Sequence, residues 1–249
     1  MRLRGALTGI VIVMGAAVPA MAAPDLWTDC QGQQNEPALL ACTQIIGAAS
    51  EPPLRLAQAH NLRAVVYQRM GQPDKAIADF SQAIQLMRDG GKSDWELAFT
   101  YFMRANTHRA KGDLDQAIAD HSESIRVAPD WDKSYNDRGA IYFQKGDFAR
   151  ALDDISKVIS LRPDSPRVAD PYAIRAMLQH RMGRSAEALL DADRAVALNG
   201  RSAMALYIRA RIYETLGRTE DAAAGIRAAL QIDPRIKEQI EAMERTGRP

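Results

Sequence analysis

Two cysteines, Cys30 and Cys42, have the most specific chemistry among the side chains of this 249-residue sequence. Such a pair can be oxidised to a disulfide or can supply two thiolate ligands to a metal. No histidine lies near them in the sequence, so the pair falls short of a zinc site. In an oxidising compartment two such cysteines usually form a disulfide, which would contribute about 2–4 kcal/mol to stability. We therefore predict a Cys30–Cys42 disulfide and no bound metal.

Catalytic arrangements are not recognisable among the other polar residues. The sequence has no glycine-rich phosphate loop and no nucleophile elbow. Its four histidines lack the spacing of metal ligands, and its carboxylates lie mostly in helical segments, where they usually form a solvated surface. We predict that the protein is not an enzyme and binds no cofactor. A hydrolase with unrecognised carboxylates is a remote alternative.

The first 22 residues have the three-part pattern of a secretory signal peptide. Arg2 and Arg4 precede an apolar run at residues 6–18, and Ala20 and Ala22 occupy the small-residue positions of a cleavage site. The run is shorter than the roughly 20 residues that a membrane span needs, and an uncleaved anchor is the alternative. We predict an exported protein, periplasmic or secreted, with no integral membrane span after cleavage.

The charge balance argues against two classes of partner. Removal of residues 1–22 takes away two arginines and no acid, which leaves 30 basic and 31 acidic side chains, a net charge of −1. This balance gives no electrostatic reason to expect nucleic acid or an anionic membrane as a partner. The composition, 47% hydrophobic and only 6% aromatic, favours a helical globular protein.

An internal repeat organises most of the chain. "RGAIYFQKGDFARALDD", which starts at Arg138, has four similar copies, which start at Arg63, Arg104, Arg175 and Arg209. Every copy has Gly in the ninth place and Ala in the fourteenth, and turn formers follow most copies. The Gly is typical of a helix end, and the small Ala of a close helix crossing. Each copy therefore predicts a helix–turn–helix pair, and stacking of neighbouring pairs would bury their apolar faces.

The period and the Gly, Ala, Tyr and Pro columns resemble the tetratricopeptide repeat. In the register of that family the repeats start at Ala57, Ala98, Asp132, Ala169 and Ala203. The resemblance implies an all-α fold, a right-handed superhelical solenoid of about five antiparallel helix pairs with terminal capping helices. His60 and Leu206 depart from the aromatic column near each repeat start. In a later apolar column His121 is the odd member, and we interpret it as a half-buried packing residue.

The segments outside the five copies predict the domain limits. Residues 38–46 align with residues 76–84 and indicate a degenerate half-repeat within an N-terminal segment, residues 23–56. The array covers residues 57–236, and residues 237–249 are predicted to be a capping helix and tail. An insertion before the second repeat carries a capping-box pattern at Ser93 and Glu96. Trp95, between them, is interpreted as packing over the helix start, and a platform for a ligand is the alternative.

A polar ladder is expected along the repeats. Each copy opens with Arg, and four of the five end with Asp sixteen residues later. We predict partly buried Arg–Asp pairs within or between repeats, although the arginine stems could simply cover apolar surface. The expected pairs are Arg63/Asp79, Arg104/Asp120, Arg138/Asp154 and Arg175/Asp191, whereas the last copy has Arg209 but Gly225.

The resemblance also implies a binding surface. In the family the second, fifth, ninth and twelfth positions of the first helices point into a concave groove. Aromatic rings at its middle and neighbouring Asn and Arg donors could hold an extended peptide, although Phe99, Phe102 and Phe143 could instead pack between repeats. The family's clamp for chaperone tails is not expected, because that clamp has Lys at the position that Phe102 occupies here. The predicted groove residues are Gln58, Asn61, Gln68, Arg69, Phe99, Phe102, Asn106, Arg109, Lys133, Asn136, Phe143, Met177, His180, Arg181, Tyr207 and Arg211.

Two classes of function fit such an array. The first is a scaffold or adaptor that binds a protein or peptide in its groove. The second is an accessory structural subunit of a cell-envelope enzyme or secretion complex, which contacts its partner by convex or edge surfaces. A short peptide that competes for binding would favour the first class, and a large stable complex indifferent to peptides would favour the second.

Overall fold

The computed structural model describes residues 25–48, 50–163 and 165–246, and these residues are all-helical. They form thirteen α-helices, with one 3-10 turn at Pro166–Val168 and no strand. The predicted signal peptide lies outside the described residues, and no described helix is both long and apolar enough to cross a membrane. The helices are α1 (Leu26–Cys30), α2 (Asn35–Ala48), α3 (Pro53–Arg69), α4 (Pro73–Asp89), α5 (Trp95–Lys111), α6 (Leu114–Val127), α7 (Asp132–Gln144), α8 (Phe148–Leu161), α9 (Ala169–Arg181), α10 (Ser185–Leu198), α11 (Ala203–Thr215), α12 (Thr219–Ile232) and α13 (Ile236–Thr246).

Helices α3 to α12 form five packed pairs, one for each sequence copy. A Gly with positive φ ends each first helix, a conformation that Gly adopts with little strain. At Gly112, where φ is 91°, its N–H donates to the carbonyl of Arg109 (3.0 Å) and the next N–H donates to that of His108 (2.9 Å). These bonds complete the last turn of α5, and the chain then reverses into α6.

The Ala column lies where the two helices of each pair meet. Its members are at most 2% exposed, as a close helix crossing requires. Each second helix also packs on the next first helix, and α9 contacts α11 directly, so that the first helices line the inner, concave face. The predicted all-α solenoid of helix pairs is confirmed. The Ala column is Ala76, Ala117, Ala151, Ala188 and Ala222.

The Arg–Asp ladder is present, and its pairs lie within repeats. Each of the four expected arginines donates two hydrogen bonds, from Nε and Nη2, to the Asp of its own repeat. The four aspartates are buried and the arginines are half-buried, so these pairs are not simple surface ion pairs. The Nε–Oδ2 distances are 2.7 Å for Arg63–Asp79, 2.7 Å for Arg104–Asp120, 2.9 Å for Arg138–Asp154 and 2.6 Å for Arg175–Asp191.

The same arginines also join neighbouring repeats. Nη1 of Arg104 donates to Ser81 on the preceding second helix, and Nη1 of Arg138 donates to Ser122, both at 2.8 Å. Nη1 of Arg63 donates to a hydroxyl of α2, which therefore takes the place of a preceding second helix. Each arginine thus connects a second helix, the next first helix and its own partner helix.

The fifth arginine has a different partner. Arg209 has no Asp in its own repeat because Gly225 stands there, and a Cβ added to Gly225 would lie only 2.9 Å from the Cβ of Ala210. Instead, Nη1 of Arg209 lies 3.3 Å from Oδ1 of Asp193, which occupies the hydroxyl position of the preceding repeat. In the fifth repeat the ion pair therefore joins two neighbouring repeats, whereas in the other four it lies within one repeat.

The N-terminal segment is attached to the first repeat. The Cys30–Cys42 disulfide joins α1 to α2, and both cysteines are buried. The indole Nε1 of Trp27 donates to Glu51 (3.0 Å), and the guanidinium carbon of Arg55 lies 3.8 Å from the centroid of the Trp27 ring. The short helix α1 is therefore held by a covalent bond, a hydrogen bond and a cation–π contact.

Candidate protein-binding groove

Helix α13 divides the concave face into a covered half and an open half. Met243, near its C-terminal end, lines a cavity of about 40 Å³ together with Phe143 and Met177. Nη1 of Arg181, at the end of α9, donates to the backbone carbonyl of Glu244 (3.1 Å). The helix predicted as a terminal cap therefore reaches across the concave side of the third to fifth repeats. Among the described residues, the groove is open at the first two repeats and at the start of the third.

Three predicted groove residues are part of the covered, packed half. Phe143, Met177 and Tyr207 are 8%, 3% and 2% exposed, and all three belong to the largest apolar cluster. They pack between neighbouring repeats because α13 and the adjoining first helices close over them. The alternative that Phe143 packs between repeats is the one that the structure favours.

The polar residues predicted in this half have partners within the protein. His180 is half-buried, with Nε2 at 3.3 Å from the Thr215 hydroxyl, and burial lowers its pKa. Nε of Arg211 pairs with Glu214 at 3.0 Å. Arg181 is held against α13. These residues are therefore engaged in the fold and offer little to a peptide.

Three further predicted residues stabilise the N-terminal repeats. Asn61 donates to the hydroxyl of Thr100 (2.9 Å), and Gln68 donates to that of Thr107 (2.6 Å), so both amides connect α3 to α5. Arg69 donates to a backbone carbonyl of the α1–α2 loop (3.3 Å). Their amide and guanidinium groups hold repeats and the N-terminal segment together.

The open half contains a strip of four aromatic side chains, Trp95, Phe99, Phe102 and Trp131, hereafter the aromatic strip. The Trp131 ring centroid lies 5.2 Å from that of Phe102 and 5.9 Å from that of Phe99. Phe99 is 40% exposed and Trp95 is 66% exposed. Exposed contiguous apolar side chains of this kind commonly mark a surface that binds a partner.

Trp95 corrects an expectation from the sequence. The helix start predicted at Ser93 lies one residue later, because the Asp94 carboxylate accepts hydrogen bonds from the N–H groups of Glu96 (3.0 Å) and Leu97 (3.4 Å). Trp95 is then the first residue of α5, and its side chain projects from the helix start instead of packing over it. The insertion thus adds an exposed ring to the groove.

A cleft of about 420 Å³ lies at one end of the aromatic strip. Its walls come from the start of α3, the α4–α5 loop and the start of α5. Leu54, Met87 and Phe99 supply apolar surface, while Gln58 and Lys92 supply polar groups at its rim. A cleft of this size and mixed character fits one or two side chains of a peptide.

Two cations, Arg109 and Lys133, lie at the other end of the strip. Among the residues that the structure describes, no carboxylate lies within ion-pair distance (4.0 Å) of either cation. The nearby carboxyl group of Asp137 is largely withdrawn from water, and this burial raises its pKa against the influence of Arg109 and neighbouring amides. Asn136 donates to Asp137 at 3.4 Å, and Asn106 also interacts with it. Arg109 and Lys133 thus both act electrostatically on the buried Asp137 carboxyl without forming an ion pair with it.

His121 lies beneath the aromatic strip. It is 0% exposed, fully buried instead of half-buried as expected, and its ring centroid lies 5.6 Å from that of Phe102 in an edge-on contact. Neither ring nitrogen has a hydrogen-bond partner within the described residues. Burial, together with the positive charges of Arg109 and Arg138, lowers its pKa to about 3. The imidazole is therefore neutral and supports Phe102 by packing.

The sequence reasoning missed Trp131, and for Trp95 it favoured packing over the alternative of a ligand platform. Trp131 directly precedes α7, one position before the repeat register begins, so no groove column includes it. An aromatic residue just before a helix start, opposite two exposed phenylalanines of the preceding first helix, was the available signal. Of the predicted groove residues, Gln58, Phe99, Phe102, Asn106, Arg109 and Lys133 lie on the open half, and Asn136 lies at its boundary, since it also lines the cavity that Met243 covers.

Comparison with known proteins agrees with this architecture. Three sequence models described as tetratricopeptide repeats match residues 55–130, 133–165 and 175–235. No curated protein sequence matches the chain.

Several solved structures share the fold at low sequence identity. The structure "YrrB: a TPR protein with an unusual peptide-binding site" is 17% identical, with a TM-score of 0.61, and the match covers 82% of this chain and 98% of that one. A crystal structure of MamA is 16% identical, with a TM-score of 0.59 and coverage of 70% and 96%. BtubC (BKLC) from P. vanneervenii is 16% identical, with a TM-score of 0.66 and coverage of 86% and 93%. At these identities the likeness establishes the fold alone.

Proposed function

Because the chain belongs to the tetratricopeptide-repeat family, we propose that it is a non-catalytic scaffold or adaptor that binds a protein or peptide in the open half of its concave groove. Export to the periplasm or outside the cell is part of this proposal. The signal-peptide pattern of residues 1–22 and the buried disulfide support it, since disulfides persist in oxidising compartments.

One observation carries the proposal. The aromatic strip exposes Trp95 and Phe99 at one end and leads to Arg109 and Lys133 at the other, on the part of the described concave face that α13 leaves open. Aromatic and arginine side chains are the residues that most often dominate the energy of protein interfaces. A peptide-binding site also appears in the name of the YrrB structure, which has the same fold.

A second candidate function uses the outer surface. Leu190 on α10 is 72% exposed and Leu40 on α2 is 61% exposed, and both lie on second helices or their equivalent, away from the concave face. An accessory subunit that contacts a larger complex by its convex side would use such residues. Single exposed leucines are common on soluble proteins, so this candidate is the weaker one.

Crosslinking and pull-down from the native envelope fraction test the two candidates. The groove variant combines Phe99→Ala with Arg109→Ala, and the matched outer-surface variant is Leu190→Ala. We expect the groove variant to lose its partner and the outer variant to retain it, with melting temperatures within a few degrees of the wild type. Retention by the groove variant and loss by the Leu190 variant would reverse the assignment.

A further inference from the structure

We propose that the open groove selects an extended peptide with an aromatic or large aliphatic side chain and, about three residues away, an internal Asp or Glu. The proposal rests on the proposed function and adds the chemistry of the peptide. The order of side chains along α5, the geometry of the aromatic strip, and two cations that form no ion pair among the described residues support it.

The order of side chains along α5 sets the spacing. Trp95, Phe99, Phe102, Asn106 and Arg109 follow one another at intervals of three or four residues, so they share one face of the helix. An α-helix rises about 1.5 Å per residue, so seven residues separate Phe102 from Arg109 by about 10 Å. An extended peptide advances about 3.3 Å per residue, so about three of its residues span this distance.

The aromatic strip determines the first recognition element. The rings of Phe99, Phe102 and Trp131 lie 5.2–6.4 Å apart, at interplanar angles of 23–34°. Such a surface favours a flat ring that stacks with an offset, or a branched apolar side chain that covers the ring edges. Burial of such a side chain against these rings removes apolar surface from water and so favours binding.

The cations determine the second element. Arg109 extends from α5 and Lys133 from α7, so a carboxylate between the two helices could be reached from both. Both residues are donors only, whereas the amides of Asn106 and Asn136 have a donor and an acceptor each. The amides of Asn136 and Asn106 already interact with Asp137, so their side-chain carbonyl oxygens are the groups that match the N–H groups of a chain that continues through the groove. This combination favours a side-chain carboxylate over a terminal one.

Synthetic peptides test the proposal by fluorescence anisotropy. The reference probe is a fluorescein-labelled decapeptide in a Gly/Ser/Ala background, blocked at both ends, with one Phe and, three positions later, one Glu. One companion probe reverses the order of Phe and Glu, and another places Glu seven positions from Phe. Two further probes replace Glu by Lys and Phe by Ala. The last probe replaces Glu by Ala and has a free C-terminal carboxylate at the same spacing from Phe.

We expect one of the two orders of Phe and Glu to bind the full chain about tenfold or more tightly than its Lys, Ala, long-spacing and free-carboxylate companions. Arg109→Glu should weaken binding of that probe by about tenfold and improve binding of the Lys probe. Lys133→Glu should act in the same direction. The matched controls are Arg227→Glu, an exposed cation on α12, and Leu190→Ala, and both should bind like the wild type.

The results separate this proposal from the proposed function. If the Lys probe binds as well as the Glu probe, or if neither order binds, the peptide chemistry is wrong. In that case the proposed function still stands if native partner capture depends on Phe99 and Arg109. If capture does not depend on them, both are wrong. Preferential binding of the free-carboxylate probe would replace the internal acid by a chain terminus, and would overturn the proposal as stated.

Discussion

Replacement of the buried histidine, His121→Leu, should make the protein less sensitive to acid. In the folded protein the pKa of His121 is lowered to about 3, whereas in the unfolded chain it is about 6.5. Between these values the unfolded chain binds a proton that the folded protein does not, so stability falls as the pH falls below about 6.5. At pH 5 this linkage amounts to about 2 kcal/mol, compared with almost nothing at pH 7.5. The figure is insensitive to the folded pKa as long as that value stays well below 5.

The measurement is the free energy of unfolding from urea titrations of both proteins at pH 7.5 and pH 5. The wild type should lose about 2 kcal/mol more than the variant between the two values. Burial raises the pKa values of Asp137 and Asp154 and gives an opposite pH dependence, but both proteins contain these groups, so their effect cancels. At pH 7.5 the variant should match or exceed the wild type, because Leu leaves no buried nitrogen without a partner. Parallel pH profiles would show that His121 titrates normally in the fold and would refute the reasoning.

Three other predictions concern the ladder, the disulfide and export. Asp154→Ala leaves the half-buried Arg138 without its carboxylate and should lower the free energy of unfolding in urea by about 3 kcal/mol. The control Asp153→Ala, at an exposed neighbouring position, should lower it by less than about 0.5 kcal/mol. Equal effects of the two changes would show that the Arg138–Asp154 pair contributes no more than a surface ion pair. Cys30→Ser should lower the free energy of unfolding by about 2–4 kcal/mol under non-reducing conditions. If the difference between wild type and variant stays the same after both proteins are fully reduced, the loss comes from packing at this site instead of the disulfide. Intact-mass measurement of secreted material should give a mature N-terminus at Ala23, and a full-length mass in the envelope fraction would contradict cleavage.

The repeat architecture was predictable because each of its determinants is local and recurs. Gly at the end of each first helix and Ala at each crossing must satisfy the same backbone geometry five times, so their columns remain visible in one sequence. The Arg–Asp pairs follow from the same period, since sixteen residues separate the partners in every copy that has both. The Cys30–Cys42 disulfide could be predicted because the sequence contains no other cysteine.

The groove was less predictable because it depends on contacts outside the repeat. The apolar positions of α13 show that one face is buried, but not which surface it covers, so Phe143, Met177 and Tyr207 could not be separated from the open half. Trp131 lies before the register begins, and its approach to Phe102 depends on how successive pairs are rotated. Periodicity describes what repeats share, whereas the binding surface is built from what differs between them.

The displaced ion pair of Arg209 gives the assembly of the array a direction. The other four arginines can pair with an Asp inside their own repeat before any neighbour is in place. The last repeat has no such internal pair, and Arg209 finds its carboxylate, Asp193, on the repeat before it. The fifth repeat therefore has the fourth as its template and should be the last to become ordered. A chain synthesised from its N-terminus produces the fourth repeat before the fifth, so the partner that Arg209 needs is already present when the fifth repeat emerges.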